Sequence, residues 1–183
     1  MKLLYRLLPT AAACLILCSC VVTSEQPLAG PESVQIDPQL VGVWHTKEQN
    51  DETYTFSIKN AHTMRVVEKE AGKPAKTHYF TIAVINGESY MQFLDYDEST
   101  PGYLFVRYRM IPGRGVMTTW MMDSKKAAAL VRSGALKGKV LKTYGDDVDV
   151  KLEGDGAELA RFLGTHEPDA LFRDEGGNLY RLR

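Results

Sequence analysis

From Leu40 to Met122 the chain repeats one pattern: short runs in which apolar and polar residues alternate, broken by turn residues. Tyr54, Phe56 and Ile58 alternate with Thr55, Ser57 and Lys59. A period of two sends one face of a strand to a core and the other to water. Similar runs cover residues 40–44, 63–69, 77–85, 89–96, 103–111 and 116–122. Asn86-Gly87 separates two of them and is a strong signal for a two-residue hairpin. Asn60-Ala61 and Pro112-Gly113-Arg114-Gly115 mark further turns. The pattern predicts about seven antiparallel strands in simple up-and-down order.

After Met122 the period changes. Asp123 is placed to cap a helix over 124–133, with Ala127, Leu130 and Val131 on its apolar side and Gly134 as its stop. Residues 139–142 and 148–152 read as two short strands. A short helix begins at Asp155 or Gly156, with Leu159, Phe162 and Leu163 on one side and Gly164 at its end. Pro168 to Phe172 reads as another helical turn, and 179–182 as a last strand. The expected fold class is mainly β with small α additions. It is an antiparallel up-and-down barrel or a strongly curved sheet, with one helix after the main strands and a short one near the C-terminus.

The N-terminus follows a different rule. Lys2 and Arg6 precede a mostly apolar run from Leu7 to Leu17, then Leu17-Cys18-Ser19-Cys20. A charged start, a short apolar middle and small residues before a cut site describe a secretory signal. The run of about eleven residues is short of the ~20 that a spanning helix requires. Leucine, any residue, a small residue and cysteine resembles the lipobox of bacterial lipoproteins. That resemblance implies a signal peptide over 1–19 and a lipid on Cys20, the first residue of the mature chain. Val21 is not the aspartate that retains such proteins in the inner membrane. The implied location is the cell envelope, lipid-anchored at the outer membrane and facing the periplasm.

Removing residues 1–19 from the 183 leaves 164, enough for one domain with its own core. Residues 20–37 carry Ser24, Pro27, Gly30 and Pro31 with few large apolar side chains, and read as a flexible tether. The expected domain spans 38–183. With Lys2 and Arg6 gone, 20 basic residues face 23 acidic ones, a net charge of about −3 without a basic stripe, which argues against nucleic acid as a partner. Cys14, Cys18 and Cys20 are the only cysteines. The mature chain therefore has no internal disulfide, cysteine nucleophile or cysteine metal site to draw on.

Gly42-Val43-Trp44, at the start of the first predicted strand, resembles the Gly-x-Trp of the lipocalin-like (calycin) group. There the Trp packs at the closed end of the barrel under a late Arg. The resemblance implies Gly42, Trp44 and Arg181 as a structural signature, with Arg181 as the partner of Trp44. It also implies a small apolar or amphipathic ligand. Met64, Met91, Met110, Met117, Met121 and Met122 accompany Tyr79, Phe80, Phe93, Phe105 and Trp120. These side chains either line an apolar cavity or fill a core. An eight-stranded barrel is just wide enough for either.

Signals for catalysis are absent from the residue pattern. His45, His62, His78 and His166 lack metal-ligand spacing. Asp147-Val148-Asp149-Val150-Lys151 departs from a calcium loop at its fifth position, and with Asp146 and Asp155 reads as a solvated hairpin rim. Gly113-Arg114-Gly115 lacks the strand-to-helix setting of a phosphate loop. Asp95-Tyr96-Asp97-Glu98 offers paired carboxylates, but they adjoin a Pro-containing loop that gives them no acid/base advantage. The sequence thus assigns no catalytic residue, no cofactor and no metal. The expected role is non-catalytic: ligand binding in the envelope, or, as the alternative, a structural or protein-interaction module with a filled barrel.

Overall fold

The computed structural model describes residues 21–30, 33–46, 52–96, 101–144 and 147–182, with the side chains of 142–147 excepted. The predicted signal peptide and Cys20 lie outside the described residues. In chain order the strands and helices are β1 (Val22–Ser24), β2 (Gly42–Thr46), β3 (Glu52–Ile58), β4 (Met64–Glu70), β5 (Lys76–Ile85), β6 (Glu88–Leu94), β7 (Tyr103–Ile111), β8 (Val116–Met121), α1 (Ser124–Arg132), β9 (Gly138–Tyr144), β10 (Asp147–Leu152), α2 (Gly156–Thr165) and β11 (Gly177–Arg181).

Strands β2 to β8 pair antiparallel in sequence, and β11 enters between β8 and β2. The sheet thereby closes into an eight-stranded barrel, so of the two expected forms it is the barrel that exists. Asn86 and Gly87 take positive φ of 50° and 82°, the left-handed pair that lets a two-residue turn follow the twist of β5 and β6. Asp123 caps α1 as expected, its carboxylate accepting from Lys125 N and Lys126 N at 2.9 and 3.0 Å.

The alternation sorts residues between two cores. Trp44, Phe56, Met64, Val66, Phe80, Ile82, Met91, Phe93, Leu104, Tyr108 and Met117 fill the barrel. Ala83, Tyr90 and Phe105 face outward from β5, β6 and β7, where they meet Met122, α1, α2 and β10. Helices α1 and α2 with β9 and β10 therefore build a second layer against one wall, while β11 returns to the barrel. Phe105 and Met122, counted by sequence among barrel residues, belong to this outer core.

The flexible tether expected over 20–37 is corrected. Strand β1 pairs parallel with β10, Val22 opposite Val150, and touches β7 at Ser24 opposite Tyr103. Val22, Thr23 and Ser24 are all buried. Farther on, Leu28 N and Ala29 N donate to the buried amide oxygen of Gln92 at 2.6 and 3.3 Å, and Gln35 N donates to Ile82 O. Composition suggested mobility because the segment has few large apolar residues. Its backbone donors and Val22 nevertheless find partners more than forty residues away, and these hold it against the barrel.

Candidate functional site

Four places are candidates for function: the barrel interior, each of its two ends, and the point where the N-terminal segment joins the sheet. At one end the turn Pro38–Leu40 folds under the barrel and buries Leu40 completely. Trp44 is fully buried beside it and donates from Nε1 to Leu40 O at 2.7 Å. Arg181 lies opposite Trp44 in the β2–β11 ladder, with its guanidinium carbon 4.8 Å from the ring centre. The same guanidinium donates to Gln39 O. Gly42 packs beside them with a φ of +142°, a conformation that suits glycine, while a Cβ there would make only ordinary contact with the Arg181 guanidinium at 3.8 Å. Tyr108 donates from its hydroxyl to the Asp37 carboxylate at 3.0 Å and completes the plug. Burial, then the charge and hydrogen bond of Asp37, push the Tyr108 hydroxyl well above its ordinary pKa.

Above the plug the interior is packed. Phe80 meets Phe56 edge-on at 5.9 Å and Phe93 at 5.0 Å, with Met64, Met91 and Met117 around them at 2 % exposure or less. Two pockets, of about 360 and 340 Å³, lie outside the barrel. The first sits between the α1–β9 loop and α2. The second is a groove beneath Pro27, Ala29 and Val34, beside the exposed Tyr79 and Leu94.

The far end of the barrel is polar inside, which the sequence reading missed. Glu52 and Glu68 are each only 7 % exposed. Tyr54, opposite Glu68 in the ladder, donates to Glu52 Oε1 at 2.7 Å. Tyr96 donates to Glu68 Oε2 at 3.4 Å and stacks on His78 at 4.1 Å. Burial first, then the hydrogen bond to Glu52 and the nearby carboxylate charges, push the Tyr54 phenol well above its ordinary pKa. It is a hydrogen-bond donor at neutral pH, with no tendency to act as a base. Neither Glu52 nor Glu68 enters an ion pair among the described residues. The signal was legible: extending the alternation of Ile58, Phe56 and Tyr54 back by two residues places Glu52 on the inner face.

The remaining candidates separate. The structure brings Gly42, Trp44 and Arg181 together, whereas Cys20 is outside the described residues. His166 packs on Phe162 at 4.1 Å, His45 lies 6.0 Å from Tyr180, and His62 is in an exposed turn. No group of three or more His, Cys, Asp or Glu among the described residues is placed to hold a metal. The acidic rim is corrected in part. Asp149 accepts from Val21 N at 3.0 Å and Asp155 caps α2 through Ala157 N at 3.1 Å, so both carboxylates have local structural partners. Asp95 accepts from Gly102 N at 2.9 Å across its loop, while Asp97 and Glu98 lie outside the described residues. No helix among the described residues is long and apolar enough to cross a membrane.

No protein-family model matches the chain, and no curated protein or solved structure is significantly similar to it.

Proposed function

We propose that the chain is a lipid-anchored envelope lipoprotein whose lipocalin-like domain is a non-catalytic interaction module with a filled barrel. The observation that carries the choice over an enclosed-ligand role is the packed interior, where the aromatic and methionine side chains occupy the space a ligand would need. The lipocalin-like reading is supported by Gly42, Trp44 and Arg181 meeting at a plugged barrel end. The anchor reading rests on Leu17-Cys20. By that resemblance the domain sits at the outer membrane and faces the periplasm, with the bilayer as its first partner. The outer groove beside Tyr79 and Leu94 is where a protein surface has apolar area to cover.

A second reading is favoured by one observation. The carboxylates of Glu52 and Glu68, which accept from Tyr54 and Tyr96 but enter no ion pair among the described residues, suit a small amphipathic cation at the barrel mouth. Mass spectrometry of the protein extracted intact from its own envelope separates the two. The interaction-module reading expects no stoichiometric small molecule. One molecule per chain, lost in Glu68→Gln, would establish the second reading instead. The anchor has its own test: Cys20→Ser is expected to abolish incorporation of labelled fatty acid and leave the precursor unprocessed. Continued labelling would refute the lipobox assignment.

A further inference from the structure

Resting on the reading of Cys20 as the lipidated residue, we infer that the domain is seated directly on the bilayer, without a tether, through the exposed face of the β1–β10–β9 extension. The argument is one of chain length. Cys20 and Val21 are adjacent, so their Cα atoms are about 3.8 Å apart. Val21 is already fixed: its N–H donates to Asp149 Oδ1 at 3.0 Å and its carbonyl accepts from Val150 N at 3.0 Å. A free segment of some 17 residues would have reached roughly 23 Å and left the orientation open. With no free residue between anchor and sheet, the bilayer must meet the surface that surrounds Val21.

That surface has a feature suited to lipid. The β9–β10 ladder shifts register between Asp149 and Val150, where Lys142 opposes Asp149 and Val140 opposes Val150. Leu141 is the extra residue of this bulge and is 54 % exposed, among the most exposed large apolar side chains of the described residues. The bulge lies level with Val21 and Val22, two strands away, or about 10 Å at ordinary strand spacing. Val140, next to it, turns inward to the outer core. The bulge therefore presents one leucine to solvent beside the anchor. Lys139 and Lys151, paired in the ladder beyond it, bring ammonium groups that can reach headgroup phosphates while holding Glu153 and Glu25.

The test uses the full lipidated chain with a fluorophore on Leu141→Cys, where the acylated Cys20 leaves no competing thiol. Vesicles of phosphatidylethanolamine and phosphatidylglycerol carry nitroxide-headgroup lipid as quencher. Strong quenching is expected. Inserting a flexible Gly/Ser linker of about twelve residues between Cys20 and Val21, with a reach of about 19 Å, should reduce it by about half or more. Equal quenching with and without the linker would overturn the seat while leaving the anchor intact. Should the Leu141→Cys chain misfold, the same comparison is made at Lys139→Cys on the same exposed strand. A chain that takes up no fatty acid and does not float with vesicles defeats the reading of Cys20, and the seat with it.

Discussion

Trp44 is held from two sides, by the carbonyl of Leu40 that accepts its indole N–H and by the guanidinium of Arg181 above its ring. Replacing a fully buried Trp by Ala removes its contacts and leaves a cavity, a cost of about 3–5 kcal/mol. Trp44→Ala is therefore expected to lower the denaturation midpoint of the chain from Val21 onward by a large fraction of its stability. Arg181→Ala should cost less, about 0.5–1 kcal/mol from the ring contact plus the bond to Gln39 O. Because the groups touch, the double mutant should cost less than the two single costs together. Additive costs in urea denaturation would show that Arg181 does not act through Trp44. This pair was legible because it rests on residue type and on a short spacing. The carboxylates at the far end rest on the same alternation, but Glu52 and Glu68 were passed over because a charged residue at an inward position contradicts the usual rule of burial.

Among the elements, the seven strands from β2 to β8 were readable because each is half-buried and carries its own period of two. Strand β1 was not. It has three residues, Val22, Thr23 and Ser24, and their burial is decided by Val150, Lys151 and Leu152, more than a hundred positions away. No local pattern reports such a partner. The same distance makes the correction testable. Val22→Asp sets a charge at a position 2 % exposed, within the outer core and opposite Val150. An uncompensated buried charge costs about 3–5 kcal/mol. Thermal denaturation should show that loss, whereas a mobile segment would show almost none. The start of α2 gives a second check. A Cβ on Gly156 would come within 1.9 Å of Pro27 O, so Gly156→Ala should push residues 26–28 away from the helix and speed hydrogen exchange at Leu28 N. Unchanged exchange at that amide would contradict the close approach.

The molecule as a whole buries phenols. Tyr90 is pushed up to about 12, first by burial and then by the charge of Glu88, and Tyr54 and Tyr108 are raised further. Their folded pKa values lie above the unfolded value of 10.0. Below pH 10 both states keep the proton and this contribution to stability is fully present. Above it the unfolded chain ionises first, and each phenol withdraws about 1.4 kcal/mol per pH unit until its folded pKa is reached. The fold should therefore weaken steeply from pH 10 upward. Phenolate absorbance should rise for the exposed tyrosines first, and for these three together with loss of the circular dichroism of the sheet. Ionisation of all tyrosines before the sheet is lost would refute the burial of these hydroxyls.

The strand that completes the ring is synthesised after the seven others it joins. Strand β11 (Gly177–Arg181) supplies partners to both β2 and β8. Until it arrives, those two strands face each other across a gap with their inner edges unpaired, and unpaired edges are templates for association between chains. A polypeptide released before Gly177 would keep both edges open however well its other strands had formed. Nor can Trp44 receive its covering guanidinium before Arg181 has been made. Arrival of β11 and loss of the two adhesive edges are thus one event, so a product cut short before Gly177 is expected to aggregate instead of forming a smaller barrel.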